Sequence, residues 1–364
     1  MDRVTTKPPL LREARELREL EDLDLLPWFD RTAAEPLEAL ALPESLFLQR
    51  VPRARSSTLV GRRQEDRPPA PGPAQGSATM STWAFQLEPE LLPLGSVLEK
   101  YRLKSIIGIG GFAAVYRARH LLLETDVALK LLRPTVVRNR PQLPRLLCEE
   151  ARLAARIRHP NVVRMLDVTH TDQLTYLVME FIDGPDLAVM TRRRGRLPAK
   201  MVLKIVEHVV AGLEAGLRES VIHRDIKPSN ILLTPSGVTK IVDFGLARGA
   251  SDASAKVVGT ADYMSPEQID RPAEVDFRSD LYSLGVTAYQ ALLGRLPIVA
   301  ADGPRPHAVV APKAADASIP APVSDLVMWL LERDPRARPG SYAALRDAIG
   351  TCRRALDSQH QEHG

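Results

Sequence analysis

The stretch His223-Arg224-Asp225-Ile226-Lys227-Pro228-Ser229-Asn230 decides how this chain is read. It sets Arg, Asp, Lys and Asn close together, after a helix-like run and before the short apolar run Ile231-Leu232-Leu233. A purely solvated loop has no need of Ile226 and Pro228 between its polar residues. Thirteen residues after Asn230, a second apolar run ends in Asp243-Phe244-Gly245. Asn230 and Asp243 offer hard oxygen ligands of the kind Mg²⁺ takes. Asp225 adds a carboxylate, and Lys227 adds a positive charge two residues later. Such a set suits phosphoryl transfer from a nucleotide, where positioning and charge neutralisation supply most of the catalysis.

Upstream, residues 101–108 and 112–120 read as strands flanking the cluster Gly108-Ile109-Gly110-Gly111. Glycine lets backbone approach phosphate oxygens with no Cβ in the way. The order strand, glycine loop, strand differs from the strand, loop, helix of a dinucleotide fold. Lys130, in Val127-Ala128-Leu129-Lys130, lies on a third strand at 126–132, where an ammonium must reach water or find an anion. Residues 144–158 have helical spacing at Leu146, Leu147, Ala151, Ala154 and Ile157, and Glu149 or Glu150 on that helix is placed to pair with Lys130. Strands follow at 164–168 and 174–182. Beyond 183 the pattern is mostly helical, at 199–218, 280–293, 323–331 and 342–356, with short strands at 231–233 and 239–242. A strand-rich first part and a helix-rich second part predict an α+β chain of two lobes with a cleft between them.

The chain has 364 residues, of which 45% are hydrophobic and 26% charged, enough to bury a sizeable core. Its net charge of +4 is too mild to point to nucleic acid. No apolar run is long enough to span a membrane. Arg3, Lys7 and two prolines stand where a signal peptide would be apolar, which argues against secretion. Cys148 and Cys352 are the two cysteines, too few for a disulfide framework. Residues 1–95 hold 12 of the 30 prolines, and 67–81 is almost pure linker chemistry, so this part reads as a disordered Pro/Arg-rich tail. Within it, residues 10–26 are rich in helix formers and could dock in a groove or recruit a partner.

These motifs, in this order, resemble those of eukaryotic-like (Hanks-type) protein kinases, most closely the bacterial Ser/Thr kinases. The resemblance covers about residues 98–355, with a small lobe at 98–182 and a large lobe at 183–355. It implies the protein kinase fold and an enzyme that transfers the γ-phosphoryl of ATP, with Mg²⁺, to Ser/Thr hydroxyls of protein substrates. Ile107, Gly108, Gly110, Gly111 and the backbone to Val115 would cover the phosphates. Lys130 would hold the α/β-phosphates and pair with Glu150, which lies nine residues before His159-Pro160. Asp225 would receive or orient the substrate hydroxyl proton, Lys227 would neutralise the transferring group, and Asn230 and Asp243 would bind Mg²⁺. Met179 would back the hinge Glu180-Phe181-Ile182, Val115, Ala128 and Leu232 would sandwich adenine, and Asp186 would contact ribose.

By the same resemblance, Glu267 of Ser265-Pro266-Glu267 pairs with Arg338, and Asp280 holds the catalytic loop. Lys227 points to Ser/Thr rather than Tyr acceptors. Arg224 beside Asp225 implies control by phosphorylation of the activation segment, with Ser251, Ser254 and Thr260 as acceptors. A soluble, cytoplasmic signalling enzyme is expected, possible partners being a second copy or a protein held by the tail. Ala113 replaces the usual third loop glycine, and the Pro/Ala-rich stretch 300–322 looks poorly helical. Two other readings are a pseudokinase scaffold and a small-molecule phosphotransferase. The filled catalytic positions argue against the first, and the Ser-Pro-Glu segment against the second.

Overall fold

Alternation organises the first half of the domain. In β3 (Ala113–His120), Ala114, Tyr116 and Ala118 are buried, while Val115, Arg117 and Arg119 between them are half-buried. In β4 (Thr125–Leu132), Val127, Leu129 and Leu131 are buried with them. Successive strand side chains point to opposite faces, so this period of two sorts the sheet into two surfaces. A computed structural model describes residues 91–171, 173–244, 261–297 and 309–361. In it, β1 (Val97–Leu98), β2 (Tyr101–Ile109), β3, β4, β6 (Thr175–Glu180) and β5 (Met165–His170) form one six-stranded antiparallel sheet in that order.

The outer face holds Tyr101, Leu103, Tyr116, Leu129, Tyr176 and Val178, with Leu91 and Leu92 packed against them. The Leu92 N–H donates to Tyr116 Oη at 2.9 Å, fastening the entering chain to the sheet. On the other face, Ala113, Leu132 and Leu177 meet Leu143, Leu147 and Ala151 of α2 (Leu143–Ala154), which follows the short α1 (Pro134–Asn139). Gly108 lies opposite Val115, Val115 opposite Lys130, Lys130 opposite Leu177, and Ala128 opposite Met179. Directly opposed residues share a face, so all of these stand on the α2 side of the sheet.

The large lobe packs α3 (Leu187–Arg194), α4 (Ala199–Arg218), α5 (Pro266–Asp270), α6 (Phe277–Leu293), α7 (Pro312–Ala315), α8 (Ala321–Leu330) and α9 (Tyr342–Gln361) around one core. The long α4 buries Val202, Ile205, Val206, Val209 and Leu213, a helical stripe. Each such side chain contributes about 1.5–3 kcal/mol on burial. The hairpin of β7 (Ile231–Leu233) and β8 (Thr239–Ile241) lies against this core, and Asn161 Nδ2–H fixes it by donating to the Thr239 carbonyl at 2.8 Å.

The chain passes from β6 into the large lobe through Gly184. A Cβ there would come within 1.9 Å of the Leu233 carbonyl oxygen, while Leu233 N–H donates to the Pro185 carbonyl at 2.9 Å. Gly184→Ala is therefore expected to cost about 1–3 kcal/mol. The check is urea unfolding: the midpoint should fall with an unchanged slope, and an unmoved midpoint would contradict this packing.

The two-lobed α+β architecture is as expected, with local differences. The helix expected at 144–158 is Leu143–Ala154, and residues beyond it turn towards His159. The helix expected from 280 begins at Phe277, because Asp276 caps it by accepting from Arg278 N–H at 2.8 Å. Among its described residues, the stretch 300–322 carries one helical turn, Pro312–Ala315, and then enters α8 at Ala321. Residues 1–90 of the tail, with its helix at 10–26, and Ser251, Ser254 and Thr260 lie outside the described residues, whereas 91–95, expected to belong to the tail, are ordered against the sheet through Leu91 and Leu92.

Candidate active site

The loop at 223–230 is held rigidly from behind. His223 is fully buried, and its Nε2 lies 2.8 Å from the Val242 carbonyl. A carbonyl only accepts, so Nε2 carries the proton and Nδ1 is left to accept the Asp225 N–H at 3.2 Å. Asp280, buried in the first turn of α6, accepts the N–H groups of His223 at 2.8 Å and Arg224 at 2.6 Å. Burial pushes the Asp280 carboxyl up, against those two amides and the neighbouring positive charge. Arg224 has φ 67°, a left-handed conformation that costs about 1–2 kcal/mol. The Asp280 grip holds it there, together with Gln268 Nε2, which donates to the Arg224 carbonyl at 2.8 Å. Gln268 is itself fixed, as the N3 partner of the N-cap Ser265 in a capping box at the start of α5. Ile226 and Pro228 are buried, which explains their place among polar neighbours.

On the open side, Asp225 Oδ2 accepts from Lys227 Nζ at 2.8 Å and from Asn230 Nδ2 at 3.0 Å. Asn230 Nδ2 also donates to the Asp225 carbonyl at 2.8 Å. Both partners are acceptors, so the amide nitrogen is fixed towards them and Oδ1 is directed elsewhere. Val242 N–H donates to the Asn230 carbonyl at 3.0 Å, which brings Asp243 beside the loop. From the sheet above, Lys130 Nζ reaches Asp243 Oδ2 at 2.7 Å. Lys130, Asp225, Lys227, Asn230 and Asp243 thus form one connected constellation, with Lys130 and Asp243 18% and 26% exposed. The Lys130–Asp243 pair was not anticipated in the sequence. Of the two glutamates considered for Lys130, Glu149 is exposed and pairs with Arg145 at 3.0 Å, while Glu150 is buried on α2.

Phe244, after Asp243, is buried with its ring edge on His223 at 4.8 Å. Gly216 of α4 makes that room, since a Cβ there would stand 2.4 Å from the ring. In the glycine loop, Gly110 N–H donates to the Ala113 carbonyl at 2.8 Å. Neither Gly108 nor Gly110 is left-handed, and a Cβ would meet nothing nearer than 3.8 Å and 3.5 Å respectively. The protein's own packing therefore demands glycine at neither position, and the space beside the backbone there is open. Ile107 and Gly111 are exposed there.

Met179 and Ala128 are buried beside each other, and Val115 and Leu232 are half-buried. Glu180 is held by Lys240 Nζ of β8 at 3.0 Å and by the Arg164 N–H at 3.2 Å, two partners that sequence reading missed. Ile182 is half-buried at the end of the hinge. Asp186, expected as a ribose contact, caps α3 by accepting the Val189 N–H at 2.6 Å, and burial pushes its carboxyl up.

Behind the site, Arg338 uses all five of its donors. Nη1 and Nη2 donate to the Glu267 oxygens at 2.6 and 2.9 Å, and the other three N–H bonds go to the carbonyls of Arg278, Glu332 and Arg333. Ser279 Oγ adds a bond to Glu267 at 2.6 Å. Burial alone would raise the Glu267 pKa, yet Arg338 and Ser279 bring it down to about 2.

Two hard oxygen donors, Asn230 Oδ1 and the Asp243 carboxylate, fit Mg²⁺, which is usually held by one or two protein groups and completes its shell with phosphate and water. An acid, a lysine and such a donor pair in a two-lobed fold that also carries a glycine loop are the parts that phosphoryl transfer uses. The chain belongs to the protein kinase domain family, whose model matches residues 101–348. Among its relatives are a probable serine/threonine-protein kinase of Clostridium perfringens, 36% identical over 71% of this chain, and the serine/threonine-protein kinase PknB of Mycobacterium tuberculosis, 34% identical over 68%. The chain spans only 38% and 42% of the length of these two relatives. The crystal structure of the Mycobacterium tuberculosis PknI kinase domain is similar at 27% identity and a TM-score of 0.57, covering 72% of this chain and 99% of that one. No helix among the described residues is long and apolar enough to cross a membrane.

Proposed function

We propose that this chain is a Mg²⁺-dependent protein serine/threonine kinase. The carrying observation is the joining of Lys130 to Asp243, and of Asp225 to Lys227 and Asn230, in one cleft. In this reading a substrate hydroxyl lies against Asp225, which receives its proton as the oxygen bonds to the γ-phosphorus. The bond to the β-phosphate oxygen breaks, and ADP leaves. Lys227 offsets charge on the transferring group, and Lys130 holds the α/β-phosphates with buried Glu150 on its flank. Backbone amides from Gly108 to Val115 cover the phosphates, and adenine lies between Val115, Ala128 and Leu232, with Met179 behind it and the 180–182 backbone at its edge. Mg²⁺ held by Asn230 and Asp243 supplies charge neutralisation at the phosphates. Arg224 is the partner for a phosphate on the activation segment, at Ser251, Ser254 or Thr260. A reducing cytoplasm suits Cys148 and Cys352, which are buried and form no disulfide.

The test is transfer of label from [γ-³²P]ATP with Mg²⁺ to a generic protein acceptor, followed by phosphoamino-acid analysis. Labelled Ser and Thr are expected, and Asp225→Ala should lower the rate by about 10²–10⁴-fold. Equal labelling by wild type and Asp225→Ala would overturn the reading.

A further inference from the structure

Arg117 is a strand residue of the kind usually left to solvent, yet it is held at both ends of its guanidinium. Its Nε and Nη2 donate to Asp126 Oδ2 at 2.6 and 2.5 Å. Its guanidinium carbon stands 4.6 Å from the centre of the Phe181 ring. Arg117 lies opposite Ala128, and Ala128 opposite Met179, so Arg117 belongs to the row of side chains that roofs the cleft. Val127 lies opposite Glu180, and Phe181 is the next residue, the middle of the hinge.

We propose that Arg117 is a positioning residue for nucleotide: anchored by Asp126, it covers the Phe181 ring and fixes the hinge backbone that adenine would meet. A guanidinium over an aromatic face is attracted by the ring and loses little entropy when its fork is already engaged. Asp126 supplies that engagement. It is only 13% exposed and also receives Lys104 Nζ at 3.0 Å and Arg119 Nη1 at 3.4 Å. From the other lobe, Lys240 holds Glu180 at 3.0 Å, so the two hinge residues in sequence are each fixed by a cation from a different strand. Phe181 has no such clamp without Arg117 among the described residues.

The inference rests on the cleft being a nucleotide site, and the experiment separates the two. Binding of a fluorescent ADP analogue is measured for the full chain, with KM for ATP and kcat. Wild type that binds no nucleotide would sink the reading of the cleft itself. With wild type binding, Arg117→Ala is expected to weaken nucleotide affinity and raise KM for ATP about three- to tenfold, with kcat within twofold. Phe181→Leu should do the same, and the double variant should be no worse than either, since both remove one contact. Arg119→Ala, which shares Asp126 but does not cover Phe181, should leave affinity unchanged. Additive losses at 117 and 181, or unchanged affinity in Arg117→Ala, would overturn the proposal.

Discussion

Asp243→Asn is expected to cut turnover about a thousandfold while the fold survives. The residue does two things at once. One oxygen holds Lys130 at 2.7 Å, and the carboxylate is half of the donor pair proposed for Mg²⁺. The amide keeps the shape but loses the charge, so Lys130 faces a neutral group and the metal loses its only anionic protein donor of the pair. The backbone should tolerate the change, since φ at 243 is 62° and asparagine adopts that region readily. The pair is also partly open to water, and such pairs contribute at most about 1 kcal/mol to stability. The check is single-turnover phosphoryl transfer at saturating ATP and Mg²⁺, alongside a thermal melt. Near-normal turnover in a folded Asp243→Asn protein would remove Asp243 from the proposed machinery.

Glu267→Gln should act in the opposite way, on stability first. It leaves the Arg338 guanidinium, which is 0% exposed, with a buried charge and no counter-charge. Breaking a buried pair of this kind costs about 3–5 kcal/mol. Arg338→Lys should be nearly as damaging, because three ammonium donors cannot serve five acceptors set for a planar fork. The pH dependence gives an independent check. The folded Glu267 pKa is about 2, below the ordinary 4.5. A depressed carboxylate contributes stability above its unfolded pKa and loses it as pH falls through the folded value. The stability gap between wild type and Glu267→Gln, from denaturant titrations, should therefore hold from about pH 7 to 5 and close below that. A gap that ignores pH would refute the charge argument. Activity should fall as well, since α5 carries Gln268 to the Arg224 carbonyl.

Much of this was legible in the sequence, for identifiable reasons. Strand β3 alternates from Ala114 to His120, and α4 carries a long apolar stripe, so period alone finds them. Strand β2, with its two register shifts, and β4, which buries Val127 to Leu129 in a row, are found by their apolar content. The loop at 223–230 is dense enough in charge to stand out. Short elements escaped. The helix α3 ends in Arg192-Arg193-Arg194 and opens on Asp186, whose capping role was not read from the sequence. The helix α5 has five residues, although its Ser-Pro-Glu-Gln capping box was there to be read. Pairings across long separations escaped too. Lys130 and Asp243 are 113 residues apart, and Lys240 and Glu180 are 60 apart. Nothing local distinguishes Lys240 or Arg117 from an ordinary outward strand cation.

The split of the small-lobe sheet into two surfaces has a practical side. Odd and even positions along β3 answer to different masters: Tyr116 and Ala118 to the apolar back, Val115 and Arg117 to the cleft. A library confined to the back positions could be screened for heat resistance with the chemistry left alone. One confined to the front could retune which nucleotide analogues or inhibitors are accepted, at little risk to expression.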